Sequence, residues 1–248
     1  DGAETRGFHA RVLSRDGRCT HYVKCRSASS AHAAREAKVL TALRTDPLLA
    51  DVVPPASVLV LPGLRALILG VVEGQGFARR VAQNRLPTAV ADVRACLAVR
   101  DQLMTAAPKV GLVSLAADPF DPLQALAPSL QILEERGVAP SVLAAIRDGV
   151  STDLPSAPQH GDFTPANIIW SRSGPVILDF EFFGLVSSPL YDVWHFVRNV
   201  RVQRGESGSW LGILAPRDQR DVEWRTILVG EVARARLSER QVGASLLW

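Results

Sequence analysis

The sequence predicts an α+β fold made of two lobes, a small antiparallel sheet followed by a mainly helical part. Short apolar segments of strand length, separated by turn residues, occupy much of the first 74 residues, whereas longer segments with helical spacing follow, such as 89–107. The chain has 248 residues, of which 47% are hydrophobic and 21% charged, so it can bury a substantial core. We therefore expect an N-terminal lobe at residues 1–74 and a C-terminal lobe at residues 75–248.

The predicted sheet contains a strand at residues 21–25 that carries Lys24. The chain has 28 basic residues, and only three of them are lysines, so a lysine inside a strand stands out. A compact ammonium group at this position can pair with phosphate oxygens. The alternative interpretation is an ordinary lysine on an edge strand.

A helix is predicted next, at residues 31–44, with Ser30 as its N-cap. Glu36 lies four and seven residues before Leu40 and Leu43, so it shares their buried face. A buried carboxylate needs a cation, and Lys24 is the natural partner. The alternative is that Glu36 lies at the edge of the apolar stripe and reaches water.

A second hairpin is predicted from an apolar segment at residues 58–61, the turn Pro62-Gly63 and a strand at residues 64–72. The glycine-rich segment at residues 73–76 then ends the first lobe. In the second lobe we expect a helix at residues 89–107, two short helices within residues 122–149 and a linker at residues 151–158.

The most informative segment of the second lobe is His160-Gly161-Asp162-Phe163-Thr164-Pro165-Ala166-Asn167, followed by Asp179-Phe180-Glu181. A short apolar strand at residues 168–170, a turn and a second strand at residues 176–178 connect the two motifs. This hairpin brings Asn167 and Asp179 together, so two oxygen ligands of the kind that Mg²⁺ prefers converge on one point. The alternative for any single aspartate is an ordinary surface carboxylate.

The two motifs resemble those of the aminoglycoside phosphotransferase and choline kinase family, whose catalytic loop is His-Gly-Asp-x-x-x-x-Asn and whose metal loop is Asp-x-Glu or Asp-x-Asp. The resemblance runs in order from about Val23 to Val197. Protein kinases differ, because they carry Arg after the loop histidine, Gly after Asp-Phe and an Ala-Pro-Glu segment that anchors peptide docking. Here Gly161 and Glu181 occupy the first two places, and no Ala-Pro-Glu follows, which favours a small-molecule acceptor.

The resemblance implies a protein-kinase-like fold and phosphoryl transfer from ATP with Mg²⁺. Asp162 would be the catalytic base, and Asn167 and Asp179 would hold Mg²⁺. Glu181 would bind a second metal ion through water or brace the loop. His160 would brace the backbone of the catalytic loop.

The resemblance also assigns nucleotide contacts. Lys24, fixed by Glu36, would position the ATP phosphates. The backbone of Gly70, Val71 and Val72 would contact adenine at the end of the last sheet strand.

A helix that begins at Ser188-Pro189 would carry Asp192, which matches a family acid that supports the catalytic loop, and His195, which we interpret as a packing residue. The tail from Gly205 is predicted to be helical, with Trp210, Trp224 and Trp248 in the core.

One family feature has no counterpart in the sequence. Kinase-like folds cover the phosphates with a glycine-rich turn, but only Gly2, Gly7 and Gly17 precede Lys24. Either the chain, which begins at Asp1 without Met, starts within that first hairpin, or residues 3–8 make the phosphate cover without glycines.

Composition narrows the class of protein further. No apolar run reaches the roughly 20 residues of a membrane span, and the N-terminus lacks a signal-peptide segment. Three cysteines, an odd number with no zinc-site spacing, indicate reduced thiols and a cytoplasmic protein. A net charge of +3 does not call for a nucleic-acid partner.

A basic stripe follows Asp192, because Arg198, Arg201 and Arg204 recur at helical spacing. We interpret it as a solvated helix face, and the alternative is a surface that attracts an anionic acceptor.

The leading hypothesis is therefore an ATP- and Mg²⁺-dependent O-phosphotransferase acting on a hydroxyl of a small polar molecule. The alternative is a kinase-like module that binds a nucleotide or a partner without turnover.

Overall fold

The computed structural model of the protein describes residues 7–27, 30–112, 122–150, 158–186, 188–206, 213, 216–238 and 241–242. The first lobe is built on a four-stranded antiparallel sheet with strand order β1-β2-β4-β3. Its strands are β1 (Phe8–Leu13), β2 (Cys19–Ser27), β3 (Ala56–Leu61) and β4 (Leu64–Gly70).

Strand β2 lies inside the sheet, between β1 and β4, so Lys24 is not on an edge strand. In the register of the sheet, Lys24 is opposite His9 on β1 and Leu67 on β4. Partner residues point to the same face of a sheet, and this face therefore presents Lys24 together with the fully buried Leu67.

Helix α1 (Ala31–Leu43) connects β2 to β3 and packs against the sheet. Ser30 caps it as predicted, because the Ser30 side chain accepts a hydrogen bond from the N–H of Ala33 at 3.4 Å. Glu36, Leu40 and Leu43 are all buried, which confirms that Glu36 lies on the apolar face of the helix.

The predicted strand at residues 64–72 ends earlier, at Gly70, and the glycine-rich segment after it is not only a loop. Gln75–Gly76 forms a short strand, β5, that pairs with Ile169 and Trp170 of a second sheet. Gly74 lets the two segments approach, because a Cβ atom at Gly74 would lie 2.3 Å from the Trp170 carbonyl oxygen.

The second lobe is mainly helical. Within the described residues, its longer helices are α2 (Phe77–Gln83), α3 (Leu86–Ala106), α4 (Pro122–Glu135), α5 (Pro140–Val150), α6 (Tyr191–Gln203) and α7 (Gln219–Ala235). Helix α2 was not predicted from the sequence, and α3 begins three residues before its predicted start. Helix α6 begins at Tyr191 and not at Ser188-Pro189, because Leu190 has a left-handed backbone with φ of 66°.

A continuous core joins the helices to the loops that carry the site. The ring of Phe163, from the predicted catalytic loop, lies 4.7 Å from the ring of Phe196 on α6. Trp224 on α7 is completely buried, as predicted, whereas Trp210, Trp248 and almost all of the predicted linker at 151–158 lie outside the described residues. Among the described helices, none is both long and apolar enough to cross a lipid bilayer.

Candidate active site

The catalytic loop and the metal loop are joined by the predicted hairpin. A single 3₁₀ turn at Pro165–Asn167 leads into β6 (Ile168–Trp170), and β7 (Pro175–Ile177) returns antiparallel to it. The N–H of Leu178 donates to the Asn167 carbonyl oxygen at 2.8 Å. This bond brings Asn167 next to the start of the metal loop.

His160 braces the two loops against each other. Its Nε2 lies 3.0 Å from the Leu178 carbonyl oxygen, and its Nδ1 lies 3.3 Å from the backbone nitrogen of Asp162. Because the Asp162 N–H can only donate, Nδ1 is the acceptor and Nε2 carries the proton. Complete burial lowers the pKa of His160 and so favours the neutral ring that these two hydrogen bonds require.

Asp192, at the start of α6, holds the backbone of the catalytic loop. Its fully buried carboxylate accepts hydrogen bonds from the N–H groups of His160 at 2.7 Å and Gly161 at 3.0 Å. Gly161 has φ of +87°, and a Cβ atom there would lie 2.7 Å from the Phe182 carbonyl oxygen. Only glycine fits this position without displacing the metal loop.

Asn167 orients the side chain of Asp162. The Asn167 amide nitrogen donates to Asp162 Oδ2 at 2.7 Å and to the Asp162 carbonyl oxygen at 3.0 Å. This use of the nitrogen leaves the amide oxygen of Asn167 as its available ligand atom.

Lys24 joins the two lobes at the site. Its Nζ lies 2.9 Å from Glu36 Oε1, 3.1 Å from Glu36 Oε2 and 2.7 Å from Asp179 Oδ1. Burial opposes the charge of Lys24, but the two carboxylates outweigh it and raise its pKa above the usual value. Burial also raises the pKa of Glu36, and the charge of Lys24 offsets this only in part. The ion pair that the sequence analysis expected is therefore present, and both of its members are largely removed from water.

The metal loop concentrates negative charge. Oxygen atoms of Glu36, Asp179 and Glu181 all lie within 4.8 Å of one another. Glu181 is also 3.4 Å from a terminal nitrogen of Arg26, a residue that the sequence analysis did not identify. Asp179 has φ of 66°, an uncommon backbone for a residue other than glycine, which is typical of functional sites.

A cleft of about 280 Å³ opens beside these groups, between the sheet and the second lobe. Its walls include apolar side chains and the three segments that the sequence analysis assigned to nucleotide and metal; the lining residues are His9, Tyr22, Val23, Lys24, Pro54, Leu69, Gly70, Val71, Val72, Asn167, Ile169, Leu178 and Asp179. The N–H of Gly70 donates to Pro55 and that of Val71 donates to Thr20, so both donors are used within the lobe.

The interpretation of the basic stripe as a solvated helix face was wrong for two of its three arginines, Arg201 and Arg204. Arg198 is exposed, but Arg201 is 4% exposed and pairs with Asp221 at 3.0 Å. Arg204 pairs with Glu206 at 2.8 Å and donates to the carbonyl oxygens of Val81 and Asn84. Asp221, Val81 and Asn84 lie far from these arginines in the sequence, so the spacing of the stripe does not reveal them.

Arg100 and Gln159 were also missed. Arg100, on α3, is 8% exposed and donates from Nη2 to Gln159 Oε1 at 2.7 Å. Gln159 directly precedes His160 in the chain. One sequence signal could have found it, since Arg100 follows Leu97 and precedes Leu103 on the apolar face of the predicted helix. A charged residue on a buried face requires a partner.

An antiparallel sheet whose Lys24 pairs with Glu36 of helix α1, next to a helical lobe that carries the two polar loops, is the arrangement of a kinase-like phosphotransferase. A family model described as the phosphotransferase enzyme family matches residues 5–238. The chain belongs to this family, and the resemblance stated from its motifs is confirmed.

Solved structures agree on the fold. The crystal structure of aminoglycoside-3′-phosphotransferase of type VIII has a TM-score of 0.51 at 14% identity, covering 97% of this chain and 92% of that one. An amicoumacin kinase in complex with AMP-PNP, Ca²⁺ and Ami has a TM-score of 0.60 at 9% identity, covering 99% of this chain and 76% of that one. At such identities the likeness shows the kinase-like two-lobed fold. A comparison with curated protein sequences found no match.

Proposed function

We propose that the protein is an ATP- and Mg²⁺-dependent O-phosphotransferase that acts on a hydroxyl of a small polar molecule, such as an aminoglycoside, an amino alcohol or a sugar-like compound. The observation that carries the proposal is the linked set Asp162–Asn167 and Lys24–Asp179. Asn167 orients Asp162 at 2.7 Å, and the next strand places Asp179 at 2.7 Å from Lys24.

The donor set fits a magnesium ion. Asn167, Asp179 and Glu181 offer oxygen atoms, which Mg²⁺ prefers, and the close carboxylates around Asp179 create a strongly negative position. The nearby side-chain cations Lys24 and Arg26 balance this charge only in part. A bound Mg²⁺ would neutralise the phosphate oxygens during transfer.

We propose that the cleft holds the nucleotide. Leu69, Ile169 and Leu178 provide apolar surface for a base, and Lys24 lies at the end where the phosphates would meet the metal loop. Since the N–H groups of Gly70 and Val71 are used, the Val72 N–H and the carbonyl groups of this segment are the atoms that we assign to adenine. The segment expected to cover the phosphates, residues 3–8, lies mostly outside the described residues.

In the proposed reaction Asp162 accepts the proton of the acceptor hydroxyl while the hydroxyl oxygen attacks the γ-phosphorus. The bond from the γ-phosphorus to the bridging oxygen breaks, and ADP leaves with the electron pair. Asn167 keeps the Asp162 carboxylate in one orientation, and Lys24 stabilises charge on the phosphates.

The lobe boundary, the partner and the cellular location of the protein are also proposed here. The lobe boundary between residues 74 and 75 is supported by the sheet at Phe8–Gly70 and by β5, which pairs with the second lobe. We propose a small-molecule acceptor as the partner. A cytoplasmic location fits the use of ATP.

Asp162→Asn tests the function, because it removes the base and preserves its shape. We expect ADP release with a pool of hydroxyl acceptors to fall about 10²- to 10⁴-fold, while nucleotide binding in a thermal-shift titration is retained. Asp51→Asn, a change at an exposed aspartate, is the matched control.

Two results would contradict the proposal. Turnover of Asp162→Asn at most of the wild-type rate would exclude Asp162 as the base. Nucleotide binding by the wild type without acceptor-stimulated ADP release from any pool would favour the binding module.

A further inference from the structure

A buried polar cluster lies directly beneath the catalytic loop and has no part in the chemistry described so far. It consists of Arg100 from α3, Gln159 at the start of the loop and Asp192 from α6. All three are less than 10% exposed, with values of 8%, 1% and 0%.

The two terminal nitrogens of the Arg100 guanidinium donate hydrogen bonds to two different residues. Nη2 donates to Gln159 Oε1 at 2.7 Å, and Nη1 donates to Asp101 Oδ1 at 2.9 Å. Its Nε is buried without a hydrogen-bond partner and lies 3.8 Å from Asp192 Oδ2. Arg100 therefore supplies a positive charge beside a carboxylate that has no access to water.

Gln159 transmits this contact to the loop. Its backbone is bonded on both sides, because its N–H donates to Val186 at 3.1 Å and its carbonyl accepts from Gly184 at 2.8 Å. Its side-chain oxygen also lies 3.4 Å from the backbone nitrogen of Asp192. Gln159, which directly precedes His160, thus contacts both the start of α6 and the segment that follows the metal loop.

We propose that Arg100 is a positioning residue of the phosphotransfer reaction. Through Gln159 Oε1 and the Asp192 carboxylate it fixes the backbone of residues 159–161, and so the place of the catalytic Asp162. The inference rests on the proposed function for its kinetic consequence. Its structural consequence, a rigid catalytic loop, is measurable independently.

The two hydrogen bonds of the Arg100 guanidinium make it possible to separate a positioning role from a role of its positive charge alone. A lysine at position 100 would keep a cation near Asp192, but an ammonium group cannot reproduce the planar fork that meets both Gln159 and Asp101. Arg100→Lys should therefore fold and bind nucleotide while the catalytic loop loses its alignment. Arg100 does not line the cleft proposed to hold the nucleotide, so the KM for ATP should hardly change.

The experiment compares wild type, Arg100→Lys, Gln159→Met, the double variant and a control, Arg94→Lys, at an exposed arginine of the same helix. We expect kcat of Arg100→Lys to fall about 10- to 100-fold, as a small misplacement of a catalytic group produces. The KM for ATP should stay within about twofold of wild type, and Arg94→Lys should match wild type.

If Arg100 acts through Gln159, the double variant should lose little more kcat than the worse single variant. Hydrogen exchange provides the second readout, and the N–H groups of His160 and Gly161 should exchange at least about tenfold faster in Arg100→Lys than in Arg94→Lys.

Three results would overturn the inference. One is a kcat for Arg100→Lys equal to that of Arg94→Lys, and another is kcat losses that multiply in the double variant. The third is unchanged exchange at His160 and Gly161. If the wild type transfers no phosphate to any acceptor, the proposed function fails, and the exchange experiment alone then decides whether Arg100 positions the loop.

Discussion

At the scale of single residues, the loop that carries Asp162, the proposed base, is held mainly through its backbone. The N–H groups of His160, Gly161 and Asp162 each donate to a side chain, two to Asp192 and one to the His160 ring. Only Asn167 fixes the Asp162 carboxylate itself among the described contacts. The loop can therefore stay in place, and Asn167 can keep its bond to Asp162 Oδ2, while the carboxylate accepts a further hydrogen bond from an acceptor hydroxyl.

His160 makes this arrangement sensitive to acid. The folded pKa of His160 is lowered by burial, and the unfolded pKa is about 6.5, so the unfolded chain binds the extra proton more readily. The contribution of His160 to stability is present above about pH 6.5 and is lost as the pH falls below it. Protonation of Nδ1 would also break the bond to the Asp162 N–H.

We expect the free energy of unfolding to fall between pH 7.5 and pH 5.5 more steeply in wild type than in His160→Gln. Denaturant unfolding at several pH values measures the two slopes. The difference between them removes the contribution of the other four histidines. Parallel slopes would show that His160 is not the group responsible.

At the scale of elements, helix α1 couples the sheet to the metal loop. It carries Glu36 against Lys24, and its His32 ring lies 5.4 Å from the ring of Phe182 in the metal loop. The His32 Nδ1 is also 3.5 Å from the Glu181 carbonyl oxygen. A shift of α1 would therefore change the contact of Glu36 with Lys24 and the contacts of His32 with the metal loop together.

The Lys24–Glu36 pair should show an energetic coupling between β2 and α1. Lys24→Met leaves Glu36 as an unpaired buried carboxylate, so the double change with Glu36→Gln should cost less than the sum of the single changes. We expect a coupling of about 1 to 3 kcal/mol in denaturant unfolding of the four proteins.

A second cycle, Lys38→Met with Glu36→Gln, is the control, because Lys38 is exposed and lies two residues along α1, where side chains do not face each other. Its effects should add. Additive losses in the Lys24 cycle as well would mean that the pair contributes nothing beyond its separate members.

The elements that could be predicted from sequence are those set by local chemistry. Ser30 starts α1, and the turn between the two short strands returns the chain from Asn167 to Asp179. The start of α6 was misplaced because Leu190 adopts a left-handed backbone that its sequence does not indicate. Arg100 contacts Gln159 and Arg201 contacts Asp221 across 59 and 20 residues of sequence, and no local spacing encodes such contacts.

At the scale of the whole molecule, the site is divided between the lobes. The sheet supplies Lys24, and the second lobe supplies Asp162, Asn167 and Asp179. The 2.7 Å bond from Lys24 to Asp179 joins the two parts directly. A nucleotide in the cleft would bring its phosphates between these groups, so the same contact that joins the lobes must be shared with the phosphates and the metal.

Asp179→Asn tests whether the Asp179 charge binds the metal ion. It does so without straining the backbone, because asparagine tolerates the φ of 66° at this position. A carboxylate repels phosphates unless a divalent ion lies between them. Without Mg²⁺ the variant should therefore bind ATP at least as tightly as wild type, and with Mg²⁺ it should bind about tenfold or more weakly, which is roughly 1.4 kcal/mol. Asn167→Ala, which removes a neutral ligand, should lose less of the Mg²⁺-dependent affinity. Calorimetric titration of ATP into each protein, with and without Mg²⁺, measures all six affinities. Equal losses in both conditions would indicate a damaged cleft, and they would remove Asp179 from the metal site.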